Sequence, residues 1–413
     1  MTLIARISEV IHPTANELAP TAAELIARAE AMAPELVGLQ SETETRGSYS
    51  EDTHQEFSRA GFYRILVPRR YGGYQLGADT FFRVSMALAR GCPSTALMYC
   101  RSTIHAITVA GLFGEQAQSE LFGHGEFIAP ATLVPGGTAE PTAEGGWLLN
   151  GIWADCSGSS YASHFIGHLM VAGNMGGSAS PMMFVAPRAE WSRLEGGKDQ
   201  LGLRGRGAHG IAITAGRIPS YFALQGTQLS GVATVEEGWG RTLHDDAEYS
   251  GNPFSYLGLE MASLAVGIAR GALDAYEEVM RSRHTLVPPV VDRVRDPDYQ
   301  HWYGEAIGLI ATAESATLEA IRQWREACIE HGSPDTHETE LRIAAICRQV
   351  TQLCWHAVEH YLFASAGTSA ASHGGRLERI WRDLSMLHSR GGLSTSMSTI
   401  ASRNLARARL GLG

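Results

Sequence analysis

Three long stretches of helical periodicity, Phe254 to Arg283, Tyr299 to His331 and His337 to Ala366, dominate the C-terminal part of the chain. Apolar residues recur there at helical spacing. Helices of such length need cover along a whole face, and antiparallel neighbours in a bundle supply it. One or two shorter helices are expected between Leu377 and Leu410. The linker from Pro288 to Pro297 is too rich in proline to be helical and reads as a surface crossover or lid.

The first part of the chain is also helical in pattern. Apolar residues repeat from Glu17 to Leu39 and from Glu51 to Leu66, where Pro68 stops the run. Asp79 is expected to cap a helix ending at Gly91. Pro93 opens an apolar helix expected to run unbroken through Phe113, which puts His105 mid-helix, and a short helix follows from Glu115 to Phe122. Near Glu126 the texture changes. Short apolar runs bounded by Gly and Pro, such as Phe165 to Ala172 and Met182 to Ala186, read as strands. Asn150-Gly151 is the dipeptide of a tight hairpin. The expected fold class is mainly α with a central β domain: a helical domain over 1–125, a β domain over 126–235 and a helical bundle over 236–413. This is not the alternation that makes a parallel α/β sheet.

At 413 residues the chain is too long for one simple core. Its formal charge of −10 leaves no basic face for nucleic acid or an anionic membrane. No stretch approaches the ~18 uninterrupted apolar residues of a membrane span, and no secretory leader opens the chain, so the cytoplasm is expected. The six cysteines form no Cys-x-x-Cys pair, which argues against zinc or a disulfide scaffold.

Gly205-Arg-Gly-Ala-His-Gly210 matches the spacing of a dinucleotide loop, but a strand-like Ile211-Ala-Ile-Thr follows where a helix is required. It reads as a turn between strands that can border a cofactor pocket. His356 and His360 share a helix face without a third ligand, and read as ordinary bundle histidines. His105 is either a packing residue or a general base in a cavity. Arg382 and Asp383 read as helix-end charges that pair with each other and with backbone, and His388 beyond them as a mobile site border. Ser157-Gly158 ends a strand carrying Trp153 and Cys156, either as turn chemistry or with its hydroxyl facing a cofactor.

Taken in order, Val67-Pro-Arg-Arg-Tyr-Gly-Gly73, Cys92-Pro-Ser-Thr-Ala-Leu97 with His105, Glu144 to Trp153 with Ser157-Gly158, Leu201 to Gly207, and Trp381-Arg-Asp383 resemble the acyl-CoA dehydrogenase superfamily. The likeness runs from about Glu51 to the C-terminus. Within it the chain is most similar to the oxygenase components of two-component flavin monooxygenases of the 4-hydroxyphenylacetate 3-hydroxylase type. The resemblance implies a homotetramer with a β-barrel or sandwich between a helical domain and a four-helix bundle. It implies reduced FMN or FAD, O2, a C4a-hydroperoxide, a separate flavin reductase, and a small organic substrate that is hydroxylated or N-oxygenated.

Carried over by position, Ser157 holds the flavin N5, His105 is the acid/base or substrate-orienting group, and His388 is the second histidine, two residues early. Thr132 stands beside Ala131 where the family has a serine. Trp153, Cys156 and Gly158 line the flavin edge, and Gly367 and Thr368 approach a flavin, including one in a neighbouring subunit. The family often has Gly-Thr-Gly-Ser where this chain reads Gly205-Arg-Gly-Ala208. The position that in many acyl-CoA dehydrogenases holds the catalytic Glu is Gly391, flanked by Arg390 and Gly392. Two alternatives stay open: an acyl-CoA dehydrogenase or oxidase with a relocated base, and a non-catalytic oligomeric scaffold.

Overall fold

The computed structural model describes residues 19–123, 125–171, 179–196, 200–226, 239–251, 253–330, 335–370, 372–388 and 393–412. The N-terminal helices are α1 (Ala22–Arg46), α2 (Glu51–Ala60), α3 (Gly77–Gly91), α4 (Pro93–Thr103), α5 (Ala106–Leu112) and α6 (Glu115–Leu121). Seven strands follow: β1 (Thr138–Pro141), β2 (Gly146–Cys156), β3 (His164–Val171), β4 (Ser180–Pro187), β5 (Ser192–Leu194), β6 (His209–Pro219) and β7 (Ala223–Gln225). The chain then returns to helices α7 (Trp239–His244), α8 (Pro253–Ser282), α9 (Pro297–Ile329), α10 (Asp335–His356), α11 (Ala364–Ala366), α12 (Arg376–His388) and α13 (Leu393–Arg409). Between α10 and α11 the helix widens into a π turn over Ala357–Phe363.

The strands form two antiparallel sheets, ordered β1-β2-β6-β5 and β3-β4-β7. Trp153 of one sheet packs edge-on against Phe165 and Phe184 of the other, and all three rings are buried. Asn150-Gly151 is not a hairpin. It lies inside β2 at a bulge, where the Asn150 side chain accepts the Ala215 N–H at 2.7 Å. Gly151 is needed there because a Cβ would sit 2.5 Å from the Cα of Gly137, just before β1. The turn signal is spent on a kink in the strand, not on a reversal.

Helix boundaries depart from periodicity in two informative places. The helix expected from Pro93 to Phe113 is broken at Ile104-His105. Ser102 and Thr103 bond back to the carbonyls of Met98 and Tyr99 at 2.6 and 2.7 Å, an alternative to regular helix that bends it. His105 therefore sits at a corner between α4 and α5. Asp79 does not cap α3 but lies in its first turn, paired with Arg83. The orphan N–H at that end belongs to Ala78 and is taken at 2.7 Å by buried Glu248, which arrives from 170 residues away.

The core of the helical part is the contact of α3 with α8. Gly267 and Gly271 lie one turn apart on α8, and a Cβ on each would meet Met86 O at 2.3 Å and Arg90 O at 2.6 Å. Missing side chains thus let two backbones approach. Arg90 then closes the end of the contact with a two-pronged pair to Asp274, at 2.6 and 2.8 Å. Residues Ser255–Ser282 of α8 are long and apolar enough to cross a membrane by length and composition alone, although charged residues interrupt them, and 78% of their most apolar 18-residue window is buried inside the molecule. Burial of that kind marks a core helix.

Gly267→Ala should test this packing. Helix propensity alone favours Ala by about 1 kcal/mol. The clash with the Met86 carbonyl should reverse the sign and cost about 1–3 kcal/mol in urea unfolding. A stabilised variant would show that α3 and α8 are free to move apart.

Candidate flavin and substrate site

The turn after β2 is built to meet α4. Gly158 has φ +89, and a Cβ there would lie 2.7 Å from Ser102 Oγ and 3.0 Å from Ser102 N. Ser102 Oγ reaches the Gly158 carbonyl at 3.0 Å, and its own carbonyl accepts the Ala129 N–H at 2.7 Å. One residue of α4 therefore pins both the Ser157-Gly158 turn and the strand-like segment that leads to Thr132. His105 stands three residues further along the same chain segment.

Ser157 is buried, and its Oγ accepts a hydrogen bond from Arg206 Nε at 3.0 Å. Arg206 is itself 3% exposed. Its other nitrogens bond Asp155, Gln200 and the Leu203 carbonyl. Asp155 adopts φ +53 to bring its carboxylate to the guanidinium. A non-glycine residue in that region costs about 1–2 kcal/mol, least for Asp and Asn. A charge-assisted hydrogen bond contributes about 1.5–3 kcal/mol, enough to hold the turn in place.

The loop carrying Arg206 is clamped by three parts of the molecule. Asp383 accepts the Leu203 N–H at 2.5 Å, and Arg382 NH1 donates to the Leu201 carbonyl at 2.8 Å. Ser94 Oγ accepts the Gly205 N–H at 3.2 Å, and the Gly47 carbonyl accepts the Gly207 N–H at 2.8 Å. Arg382 and Asp383 do not pair with each other, as the sequence suggested. Adjacent helical residues point about 100° apart. Arg382 instead bonds Glu44 and Glu378, at 2.9 and 2.7 Å. Burial pushes the Asp383 carboxyl up to about 7, against the opposing pull of the Leu203 N–H and Arg382.

His105 is 4% exposed, and its Nε2 finds no hydrogen-bond partner among the described residues. Burial, with help from Arg101 and His168, lowers its pKa to about 3, so the ring is neutral. His168 lies beside it, fully buried, and donates Nδ1–H to the Thr132 carbonyl at 2.7 Å. Thr132 Oγ1 is likewise buried without a partner among the described residues. An orphaned imidazole nitrogen and an orphaned hydroxyl, linked through His168, are costly left unpaired and useful when a ligand satisfies them. One turn before His105, Arg101 Nε meets Glu260 of α8 at 2.9 Å, with the carboxylate fully buried.

The remaining candidates fall elsewhere. The Trp153 ring packs between the sheets, and its Nε1–H donates to the His168 carbonyl at 2.9 Å. Cys156 is buried at the strand end, where burial pushes its thiol well above the usual range. Gly367, at φ +87, follows α11, and a Cβ there would be 3.3 Å from the buried guanidinium of Arg293. Thr368 beside it is exposed. His388 closes α12 with its ring stacked on Trp355 at 5.2 Å. Gly367 and His388 make their contacts within the C-terminal bundle, while the Ser157-Gly158 turn and the segment leading to Thr132 are tied to Ser102 of α4, three residues before His105. Ala371 and Arg390 to Gly392 lie outside the described residues.

Sequence reasoning missed Arg206, His168 and the Arg101–Glu260 pair. The signal for Glu260 was available: it is one acid in the apolar run Leu257-Gly-Leu-Glu-Met-Ala-Ser-Leu264. Arg206, a charge between two glycines, was also visible, but its partner Ser157 is 49 residues away.

Residues 20–122 match the family described as acyl-CoA dehydrogenase, N-terminal domain, and residues 259–392 match acyl-CoA dehydrogenase, C-terminal domain. The oxygenase subunit HsaA, a flavin-dependent monooxygenase of Rhodococcus jostii, is 25% identical over 375 residues, covering 86% of this chain and 91% of the relative. The crystal structure of the HsaA monooxygenase from M. tuberculosis superposes with a TM-score of 0.83 at 22% identity, covering 95% of this chain and 98% of that one. TdsC from Paenibacillus sp. A11-2, solved with FMN and indole, gives a TM-score of 0.78 at 19% identity, covering 94% and 97%.

The neutral state of His105 has a stability consequence. Its folded pKa is depressed, so the unfolded chain binds more protons between the unfolded value near 6.5 and the folded value of about 3. Stability present above pH ~6.5 should be lost as pH falls, with a slope of up to about 1.4 kcal/mol per pH unit for this ring. Urea titrations from pH 7 to 4 should show a shallower slope in His105→Asn than in the parent. Parallel slopes would mean that the ring is accessible to protons in the fold.

Proposed function

Because the chain belongs to the acyl-CoA dehydrogenase superfamily, in its branch of flavin-dependent monooxygenase oxygenase components, we propose that it hydroxylates a small aromatic substrate at the Ser157–His105–Thr132 cluster. The carrying observation is the pair of buried, unpartnered polar atoms, His105 Nε2 and Thr132 Oγ1, beside a serine turn locked onto α4. Reduced flavin, received from a separate reductase, supplies the electrons that send one atom of O2 to substrate and the other to water.

The chain's own residues account for the rest. Ser157 offers a buried hydroxyl at the strand end to the flavin N5 edge. The neutral His105 presents a lone pair or an N–H to a substrate hydroxyl, orienting a phenol with no charged group to draw water in. The depressed basicity of the ring favours orientation over full deprotonation. Thr132 Oγ1 stands where the substrate or flavin edge satisfies it. Burial of the whole cluster keeps water away from the reacting atoms.

The relocated-base alternative needs a carboxylate free to remove a proton. Glu260, the buried acid beside this cluster, is committed to Arg101 instead. The flavin is FMN or FAD: on the same fold TdsC holds FMN with indole and XiaF holds FADH2. A homotetramer is the assembly assigned. The resemblance implies it, and the apolar linker Leu286, Val287 and Val290, 88, 74 and 61% exposed, offers a surface for contact between subunits.

Chemically reduced FMN, air and a panel of phenols and indoles should give a hydroxylated product with no reductase present. His105→Ala should lower the product rate by roughly 10²–10⁴-fold while FMN affinity stays within a few-fold. Ser157→Ala should divert reduced flavin to hydrogen peroxide and raise the peroxide-to-product ratio. Protein that binds FMN in neither redox state, or a His105→Ala variant with unchanged turnover, would end this reading.

A further inference from the structure

Arg206 occupies the loop position where the resembling family often carries Thr, and every nitrogen of its guanidinium is engaged: Nε on Ser157 Oγ, NH1 on Gln200 and Leu203, NH2 on Asp155. A guanidinium only donates. Ser157 Oγ must therefore accept from it, and the hydroxyl hydrogen of Ser157 is turned away from Arg206. One lone pair and one hydrogen remain for whatever faces the serine.

The cation is 3% exposed, and its counter-ion Asp155 is 55% exposed at the side chain. The positive charge thus lies inward and the balancing negative charge lies toward solvent, where water screens it. The loop that carries Arg206 is held rigid by Asp383, Ser94 and Gly47, so the charge cannot swing out. Gly205 and Gly207 allow this close fit: a Cβ would meet Thr43 Cγ2 at 2.4 Å at the first and Met98 Sδ at 2.7 Å at the second.

We propose that Arg206 is a positioning residue that sets the hydrogen-bond polarity of Ser157 and places a fixed positive charge beneath it, so that the site prefers reduced over oxidised flavin. This rests on the reading that Ser157 faces the flavin. A reduced isoalloxazine carries one more negative charge at neutral pH than the oxidised ring, so a nearby cation discriminates between the two, and charge near the ring is a recognised means of tuning it. Such a preference suits an enzyme that must capture reduced flavin and release the oxidised form.

The test is the ratio of two dissociation constants, for oxidised FMN in air and for dithionite-reduced FMN under nitrogen. Arg206→Gln removes the charge and should lower the oxidised-to-reduced ratio by roughly tenfold, the scale of a charge acting across a partly buried site. Arg206→Lys keeps the charge without the fork and should stay within about threefold of the parent. Asp155→Asn removes the counter-ion at a half-exposed position whose backbone Asn tolerates, and should raise the ratio.

A purely structural role for Arg206 would weaken both flavins alike and leave the ratio unchanged. That result in Arg206→Gln overturns the inference. If Arg206→Gln does not fold, Asp155→Asn decides: a raised ratio supports the inference and an unchanged one overturns it. Parent protein that binds neither form of FMN removes the flavin reading itself, and this inference with it. Binding by the parent with unmoved ratios in the variants removes this inference alone.

Discussion

The loop from Leu201 to Gly207 is the constraint on which the site depends. Four separate segments hold it: Asp383 and Arg382 from α12, Ser94 from α4, Gly47 after α1, and the Gly158 N–H that donates to the Arg206 carbonyl at 3.0 Å. None of these four segments can shift relative to the others without breaking one of these bonds. Its glycines are small because backbone passes within a Cβ radius; at Gly202 a Cβ would stand 2.4 Å from the Arg382 carbonyl. The loop is thus a keystone of polar contacts where helical and β parts meet.

The candidate site lies at that meeting place for a physical reason. Three kinds of surface converge there: a strand end with its polar turn, a helix corner, and a loop with a buried cation. Each supplies something the others cannot. The strand end brings Ser157 on a turn stiffened by Ser102. The helix corner brings a neutral His105, freed from regular helix by the back-bonding of Ser102 and Thr103. The loop brings Arg206. Because each is fixed by neighbours outside the site, the polar atoms are arranged before any ligand arrives, which is the property that electrostatic catalysis requires.

Charge inside the cluster is paired with care. Arg101 is answered by Glu260, Arg206 by Asp155, and Arg382 by Glu44 and Glu378. Removing the acid from the Arg101–Glu260 or Arg382 pairs leaves a buried cation uncompensated, whereas Asp155 faces solvent. His105, which has no acid against it, is instead kept neutral by burial. The result is a site whose walls are charged but balanced, while the groups left to meet a ligand are an imidazole and a hydroxyl.

Sequence periodicity by itself determined the order of the molecule: helices, then short strands, then long helices. Those patterns are local, and burial of one face enforces them wherever the chain goes. Spacing alone left Ser157-Gly158 open, because a serine before glycine at a strand end is also ordinary turn chemistry; the family resemblance singled it out. The remainder was decided by contacts between residues distant in the chain. Asn150-Gly151 became a bulge because Gly137 and Ala215 press on it, and Trp153 turned inward because the second sheet offered it Phe165, Phe184 and the His168 carbonyl. Arg206 became the partner of Ser157, and Glu260 of Arg101, only when the loop and α8 were laid against the strand end and α4. A hydrogen bond or ion pair is specified by distance and angle in space, and those are set by the folded packing of elements whose separation along the chain carries no record of it.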